Sequence, residues 1–156
     1  MRLADDRTRL VLRLGRQVGL RRAEICQVNR NDLIDTGEGP SLIVNGKGGV
    51  ERIVPLPDDL AATLRRRFEQ QDSPWLFPGG QDGHLCPERV AELARAVLPD
   101  GWSLHACRHG FATSVYAQRH DLLVVQQLLG HRSVATTQRY TAVPSSDLRA
   151  AVNAAA

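Results

Sequence analysis

Lysine is almost absent from this 156-residue chain, which carries nineteen arginines against the single Lys47. Cysteine is sparse as well. Cys26, Cys86 and Cys107 are an odd number at wide spacing, which argues against a disulfide framework or a zinc knuckle and suits a reducing cytoplasm. No apolar run approaches the roughly 20 residues that span a bilayer. The start, MRLADDRTRL, has acids where a secretory leader has its apolar run. Carboxylates thin out late in the chain, where Asp121 is the only one between residues 101 and 140. Two-metal phosphoryl transfer prefers clustered carboxylates, so metal-free chemistry is expected there. His105 and His109 stand four apart, yet no glutamate lies between them and the HExxH pattern is missing. Repeats and low-complexity segments are lacking too.

What is present fits one soluble domain with a real core: 42% hydrophobic and 24% charged residues. The net charge of +3 is modest, but it is unevenly spread. Residues 1–30 hold eight arginines against three acids, residues 31–60 hold six acids against Lys47 and Arg52, and residues 101–156 hold five arginines against two acids. Two basic segments around an acidic middle suit a surface with one face toward a polyanion, although an arginine-rich composition gives a similar count.

Leu10, Leu14 and Val18 at spacing four predict an amphipathic helix over residues 5–17. Gly19 interrupts it, and a second short helix is expected over 21–28. Turns at Asn31, Gly37, Gly39 and Pro40 bracket a short apolar stretch near Leu33. Residues 42–45 and 51–56 flank Gly46-Lys47-Gly48-Gly49, a hairpin signal with the lysine at its tip. Further helices are expected from Asp58 or Asp59 to Gln71, then over 87–98 with Pro87 in the first turn. Ser103 is placed to cap a helix over 104–118, and Asp121 one over 122–129 that Gly130 ends. A short helix over 134–140 and a last one over 146–154 complete the reading. Many helices plus one small antiparallel sheet make a mostly helical α+β domain.

Several residues admit both a bland and a chemical reading. Arg21 and Glu24 form either an ordinary surface i,i+3 ion pair or a phosphate-binding guanidinium with the carboxylate that holds its surroundings together. Arg108 sits beside the apolar run Phe111, Ala112, Val115, and a buried guanidinium there requires a partner. His105 shares its helical face with Arg108. His105 and His131 read as capping or half-buried histidines unless they act on a ligand. Tyr140 is one of two tyrosines, and an ordinary phenol is a poor nucleophile at neutral pH without nearby positive charge. Tyr116 is expected to pack. Lys47 is either a plain hairpin residue or a tuned proton donor, a role that arginine cannot fill. His84 and His120 receive no role. Two arginines, two histidines, a lysine and a tyrosine together suggest chemistry on a phosphodiester.

The segments GLRRAEICQV (19–28), VNGKGGVERIVPL (44–56), WLFP (75–78), LHACRHGFAT (104–113) and LLGHRSVATTQRYT (128–141) resemble, in order and separation, the catalytic domain of the tyrosine recombinases, the group of phage integrases and Xer-type recombinases. The resemblance covers nearly the whole chain. It implies that Arg21 and Arg108 are the catalytic arginines, with Glu24 supporting the first. It further implies that Lys47 is the hairpin lysine, that His105 and His131 are the two histidines, and that Tyr140 is the nucleophile. Cys107 stands where the family usually has leucine; it is still small and apolar, so a buried cysteine is expected.

The implied mechanism is metal-free, cofactor-free and ATP-free transesterification on double-stranded DNA. Tyr140 forms a 3′-phosphotyrosyl bond and frees a 5′-hydroxyl. Arg21, Arg108 and His131 stabilise the transition state, Lys47 protonates the leaving oxygen, and His105 manages the tyrosine proton. The resemblance also implies a homo-oligomer, a tetramer on DNA, held through the C-terminal segment 144–156, whose alternative reading is a fraying tail. The N-terminal DNA-clamping domain usual in the family is expected to be missing from residues 1–156. Weak, salt-sensitive DNA binding follows from that expectation. Two other functions compete: a remnant DNA-binding or assembly module that no longer cuts, and nicking and resealing of the type IB topoisomerase kind.

Overall fold

Asp5 opens the first helix by accepting the Thr8 amide at 2.7 Å, and α1 then runs Asp6–Gln17. Its stripe of Leu10, Leu14 and Val18 is buried, as the spacing predicts. The computed structural model describes residues 5–46, 48–80, 82–130 and 145–155. The chain continues through α2 (Arg22–Cys26), a 3-10 turn (Arg30–Asp32), β1 (Leu33–Thr36), β2 (Gly39–Asn45) and β3 (Glu51–Pro55). Then follow α3 (Asp58–Glu69), α4 (Pro87–Arg95), α5 (Leu104–Arg119), α6 (Leu122–Leu129) and α7 (Ser145–Ala155). This is the mostly helical α+β architecture expected. The helix expected over 134–140 lies outside the described residues.

Capping chemistry sets the helix boundaries. Pro87 occupies the first turn of α4, Ser103 Oγ accepts the Ala106 amide, and Asp121 accepts the Leu123 amide at 2.8 Å. Gly130 closes α6 in a left-handed conformation at φ 62°, which a glycine adopts without strain.

The sheet is antiparallel in the order β1-β2-β3, with Leu33 opposite Leu42, Val44 opposite Arg52 and Asn45 opposite Glu51. Its first strand exceeds the sequence reading, which gives only a short apolar stretch near Leu33. The β2–β3 hairpin forms as expected, and the Gly46 amide donates to the Val50 carbonyl at 2.8 Å just below the tip. The core runs from α1 through α5 to the sheet and includes Leu14, Leu20, Ile25, Leu42, Phe77 and Phe111. Cys107 is buried, as expected of a small apolar substitute. Tyr116 does not pack, contrary to its reading. It is 43% exposed, because it lies one residue past Val115 and off the buried stripe Leu104, Cys107, Arg108, Phe111, Val115.

The last helix, α7, packs against α5 and β3 of its own chain and buries Ala151 and Val152 completely. Arg149 fixes it there. Its guanidinium donates to the carbonyl of Leu56 at 3.0 Å, to the carbonyl of Pro40 and to Ser41 Oγ at 3.1 Å. Among the described residues no helix is long and apolar enough to cross a membrane.

Candidate active site

The tight turn between α1 and α2 organises one end of the molecule. Leu20 and its neighbours are pulled inward by a hydrogen bond from the Leu20 amide to the Leu14 carbonyl at 3.1 Å. The turn requires Gly19, which sits at φ 72°; a Cβ there would approach Phe111 Cδ1 to 2.4 Å and Leu129 Cδ2 to 2.9 Å. Immediately after it, Arg21 caps α2. Its amide donates to Glu24 Oε2 at 2.8 Å and its Nη1 to Oε1 at 2.9 Å.

Glu24 is not the surface partner of a bland i,i+3 pair. Its side chain is only 4% exposed and collects three arginines. Arg52, reaching across from β3, meets it with both nitrogens of its fork, Nη1 to Oε1 at 2.8 Å and Nη2 to Oε2 at 2.9 Å. Arg108 Nη1 stands 3.8 Å from Oε2. Burial alone pushes the Glu24 carboxyl upward. Hydrogen bonds and charge from Arg52, together with bonds from Arg21, outweigh it and hold the group below its usual 4.5, so it is an anion at neutral pH.

Arg108 comes from the second turn of α5 and is buried. Its guanidinium donates to the carbonyl of Gly19 and, at 2.7 Å, to that of Leu129. These are the partners that its burial demands. Burial, with the neighbouring charge of Arg21, pulls its pKa down to about 10 against the opposing pull of Glu24, which leaves it a cation at neutral pH. One turn earlier on α5, His105 is exposed and its Nε2 lies 3.0 Å from His109 Nε2, with the rings edge to face. Among the described residues no group of three or more His, Cys, Asp or Glu side chains is placed to hold a metal ion.

Two open clefts flank Arg21. One, of about 720 Å³, is lined by Arg21, Arg22, Arg95, Ser103, His105 and Arg108 among others, with four guanidiniums and no carboxylate among the described residues. The other, of about 590 Å³, lies between Arg21, Glu24, Gln27, Arg52, Gly130 and the hairpin residues Asn45, Gly46 and Val50. An anion entering at Arg21 therefore meets a dense field of positive charge, in which Arg21 and Arg108 are held in place by protein acceptors.

The structure thus brings together Arg21, Glu24, His105 and Arg108. Lys47, His131 and Tyr140 lie outside the described residues, although Gly46 and Gly130, next to two of them in sequence, both line the second cleft. Sequence reasoning misses Arg52, Arg22 and Arg95. Arg52 looks like a stray cation in an acidic stretch, and only its position in the resembling segment VNGKGGVERIVPL marks it.

Known proteins share both the sequence pattern and the fold. The model of the phage integrase family matches residues 2–146. Tyrosine recombinase XerD of Caulobacter vibrioides is 42% identical over 123 residues, covering 69% of this chain and 40% of that protein. The integrase of mycobacterium phage Brujita superposes with a TM-score of 0.78 at 27% identity, over 99% of this chain and 53% of the other. The XerH site-specific recombinase, in a pre-cleavage complex with difH substrate, superposes with a TM-score of 0.70 at 25% identity, over 94% of this chain and 46% of the other. The chain spans about half the length of the curated relatives it matches, from 40% to 54%.

Proposed function

Because the chain belongs to the phage integrase family, as a tyrosine recombinase catalytic domain of Xer type, we propose that it cleaves and rejoins double-stranded DNA through a covalent phosphotyrosyl intermediate. The observation that carries this reading is the buried Glu24 hub. It fixes Arg21 and Arg108 on the wall of a cleft that, among the described residues, holds four arginines and His105 but no carboxylate. Such a wall attracts a phosphodiester and repels nothing on it.

In the proposed reaction the Tyr140 phenol oxygen attacks the scissile phosphorus. The new bond from tyrosine oxygen to phosphorus forms as the bond from phosphorus to the 5′ oxygen breaks. The phenol proton leaves by way of His105, and the departing 5′ oxygen takes a proton from Lys47. Arg21, Arg108 and His131 donate to the non-bridging oxygens, whose charge rises in the transition state. The 5′-hydroxyl of a second strand then reverses the step. No ATP is consumed, because the phosphotyrosyl bond keeps the energy of the phosphodiester, and the proposed steps use the protein's own side chains without metal or cofactor.

Assembly as a homo-tetramer on DNA, with the segment 144–156 touching a neighbour, belongs to the same proposal. The similarity to XerH in its complex with difH substrate supports the DNA-binding part of it alone. The helix α7 is seated on its own α5 and β3 and tied there by Arg149, so exchanging it between subunits would break those bonds.

The test is a covalent trap. Protein and its Tyr140→Phe variant are incubated with nicked suicide duplexes carrying candidate core sites, and adducts that survive denaturation are counted. The reading expects an adduct from the unaltered chain and none from the variant. Absence of adduct from both, on sites that a longer relative cleaves, would point to a binding module or to a catalytic domain that needs the DNA clamp of its longer relatives.

A further inference from the structure

Arg52 is the one arginine of the Glu24 hub to which the strand-transfer reading gives no task. All three of its guanidinium nitrogens donate inward: Nη1 and Nη2 to the two Glu24 oxygens at 2.8 and 2.9 Å, and Nε to the Leu128 carbonyl at 2.9 Å. Its side chain is 11% exposed, against 41% for Arg21, which gives Glu24 a single guanidinium nitrogen. Arg21 thus has donors left for a phosphate, whereas Arg52 is committed to the protein.

The three elements that Arg52 joins are far apart in sequence. It stands on β3, opposite Val44, five residues after Lys47. Its carboxylate partner belongs to the turn that presents Arg21. Its carbonyl partner is in the last turn of α6, from which the chain leads to His131. Gly130 makes the approach possible, since a Cβ at that residue would lie 2.9 Å from Arg52 Cδ and 3.0 Å from Nη1. The hairpin, the Arg21 turn and the end of α6 therefore share one fastening.

We propose that Arg52 is a positioning residue, a strut that holds the Lys47 hairpin in register with the Arg21 turn and the end of α6. This rests on the strand-transfer reading of the cleft. A planar fork is what the task needs, because only arginine meets both carboxylate oxygens and a third acceptor at fixed angles. Arg52 also keeps Glu24 ionised. Without it the buried carboxylate retains only the bonds from Arg21 on α2 and the more distant charge of Arg108 on α5, so less opposes burial and its pKa moves up.

The experiment compares the unaltered chain with Arg52→Gln and Arg52→Lys. It measures single-turnover adduct formation on a nicked suicide duplex across pH, duplex binding, the melting temperature, and the Glu24 carboxyl titration by carbon-13 NMR. The strut predicts that Arg52→Gln loses on the order of 100-fold in adduct rate with duplex binding little changed. Its residual rate falls on acidification at a higher pH than that of the unaltered chain, because Glu24 takes up a proton earlier. Arg52→Lys restores the pH profile by charge but recovers only part of the rate, since it lacks the fork. An Arg52→Gln protein with the rate and pH profile of the unaltered chain overturns the proposal. If Arg52→Gln does not fold, the lysine variant decides, and full rate in it overturns the strut. If the unaltered chain forms no adduct on any duplex, the strand-transfer reading fails. The titration still judges Arg52: a Glu24 midpoint raised in Arg52→Gln supports the strut, and one left in place overturns it.

Discussion

Glu24 and Arg52 meet fork to fork, 28 residues apart in sequence, with both oxygen–nitrogen pairs within 2.9 Å and both side chains nearly shut off from solvent. A buried ion pair of this kind gives weak stabilisation relative to an apolar pair, yet it is costly to break on one side only. Its value here is geometric. It couples a turn, a hairpin and a helix end that local sequence preferences cannot align.

Replacing Glu24 by Gln tests that cost. Three guanidiniums then face one neutral amide, and the stability at neutral pH should fall by roughly 3–5 kcal/mol in denaturant unfolding. The sign with pH is fixed by the depressed carboxyl. The folded state favours the ionised form, so the stabilisation is fully present above the usual 4.5 and is lost as pH falls through the lower folded value. The stability difference between the unaltered chain and Glu24→Gln should therefore shrink as pH falls below 4.5 and level off below the folded value. A difference that stays constant to low pH would mean that Glu24 does not carry the charge of the hub.

Gly19 is the backbone counterpart of this hub. Its carbonyl accepts from Arg108 while its Cα faces Phe111 and Leu129. Gly19→Ala forces a left-handed residue to carry a Cβ into an aromatic ring, at a cost of about 2–5 kcal/mol from backbone strain and overpacking. Chemical denaturation measures the loss. Because the carbonyl moves with the ring contact, adduct formation should also decline under conditions where the variant is still fully folded.

Much of the architecture is legible in the sequence because local chemistry fixes it. Ser103, Asp121, Pro87 and Gly130 each act where their side chains or backbone preferences place them. Arg108, which needs a buried partner, has two carbonyls and a carboxylate nearby. What escapes the sequence is non-local. Strand β1, LIDT, is four residues long and has no buried–exposed alternation, so it becomes a strand only by pairing with β2. Arg52 looks like ordinary surface charge because its partner is on another element. Tyr116 has the composition of a packing residue, whereas its angular position on α5 decides its exposure.

The anchoring of α7 gives a third prediction. Arg149 is its polar tie to the sheet, through the Leu56 and Pro40 carbonyls and Ser41 Oγ. Arg149→Ala removes this donor, leaving the Pro40 carbonyl with the Leu56 amide alone, and should cost about 1–3 kcal/mol. The effect should be local, since Ala151 and Val152 supply only small apolar contacts. Hydrogen exchange should accelerate across residues 145–155 while α1 and α5 keep their protection. Equal acceleration everywhere would show that α7 unfolds only with the whole domain.

The three cysteines supply a prediction that needs no DNA. Cys86, ahead of α4, is exposed, while Cys26 and Cys107 are buried. Burial pushes the Cys26 thiol up to about 11, and its Sγ is turned toward the Ala23 carbonyl at 3.1 Å. Burial raises Cys107 too, against the opposing charge of Arg16. Since the thiolate is the reactive form, both should resist a maleimide or an aromatic disulfide at neutral pH. One equivalent should react quickly in the native protein, and Cys86→Ser should abolish that phase; all three should react after denaturation. Cys26 lies at the end of α2, directly behind Glu24. In Arg52→Gln, loss of the strut should therefore open a second, slower labelling phase at Cys26, detected by mass spectrometry of the labelled peptides. If Cys26 is as protected in that variant as in the unaltered chain, α2 holds its place without Arg52, and the strut acts on the hairpin alone.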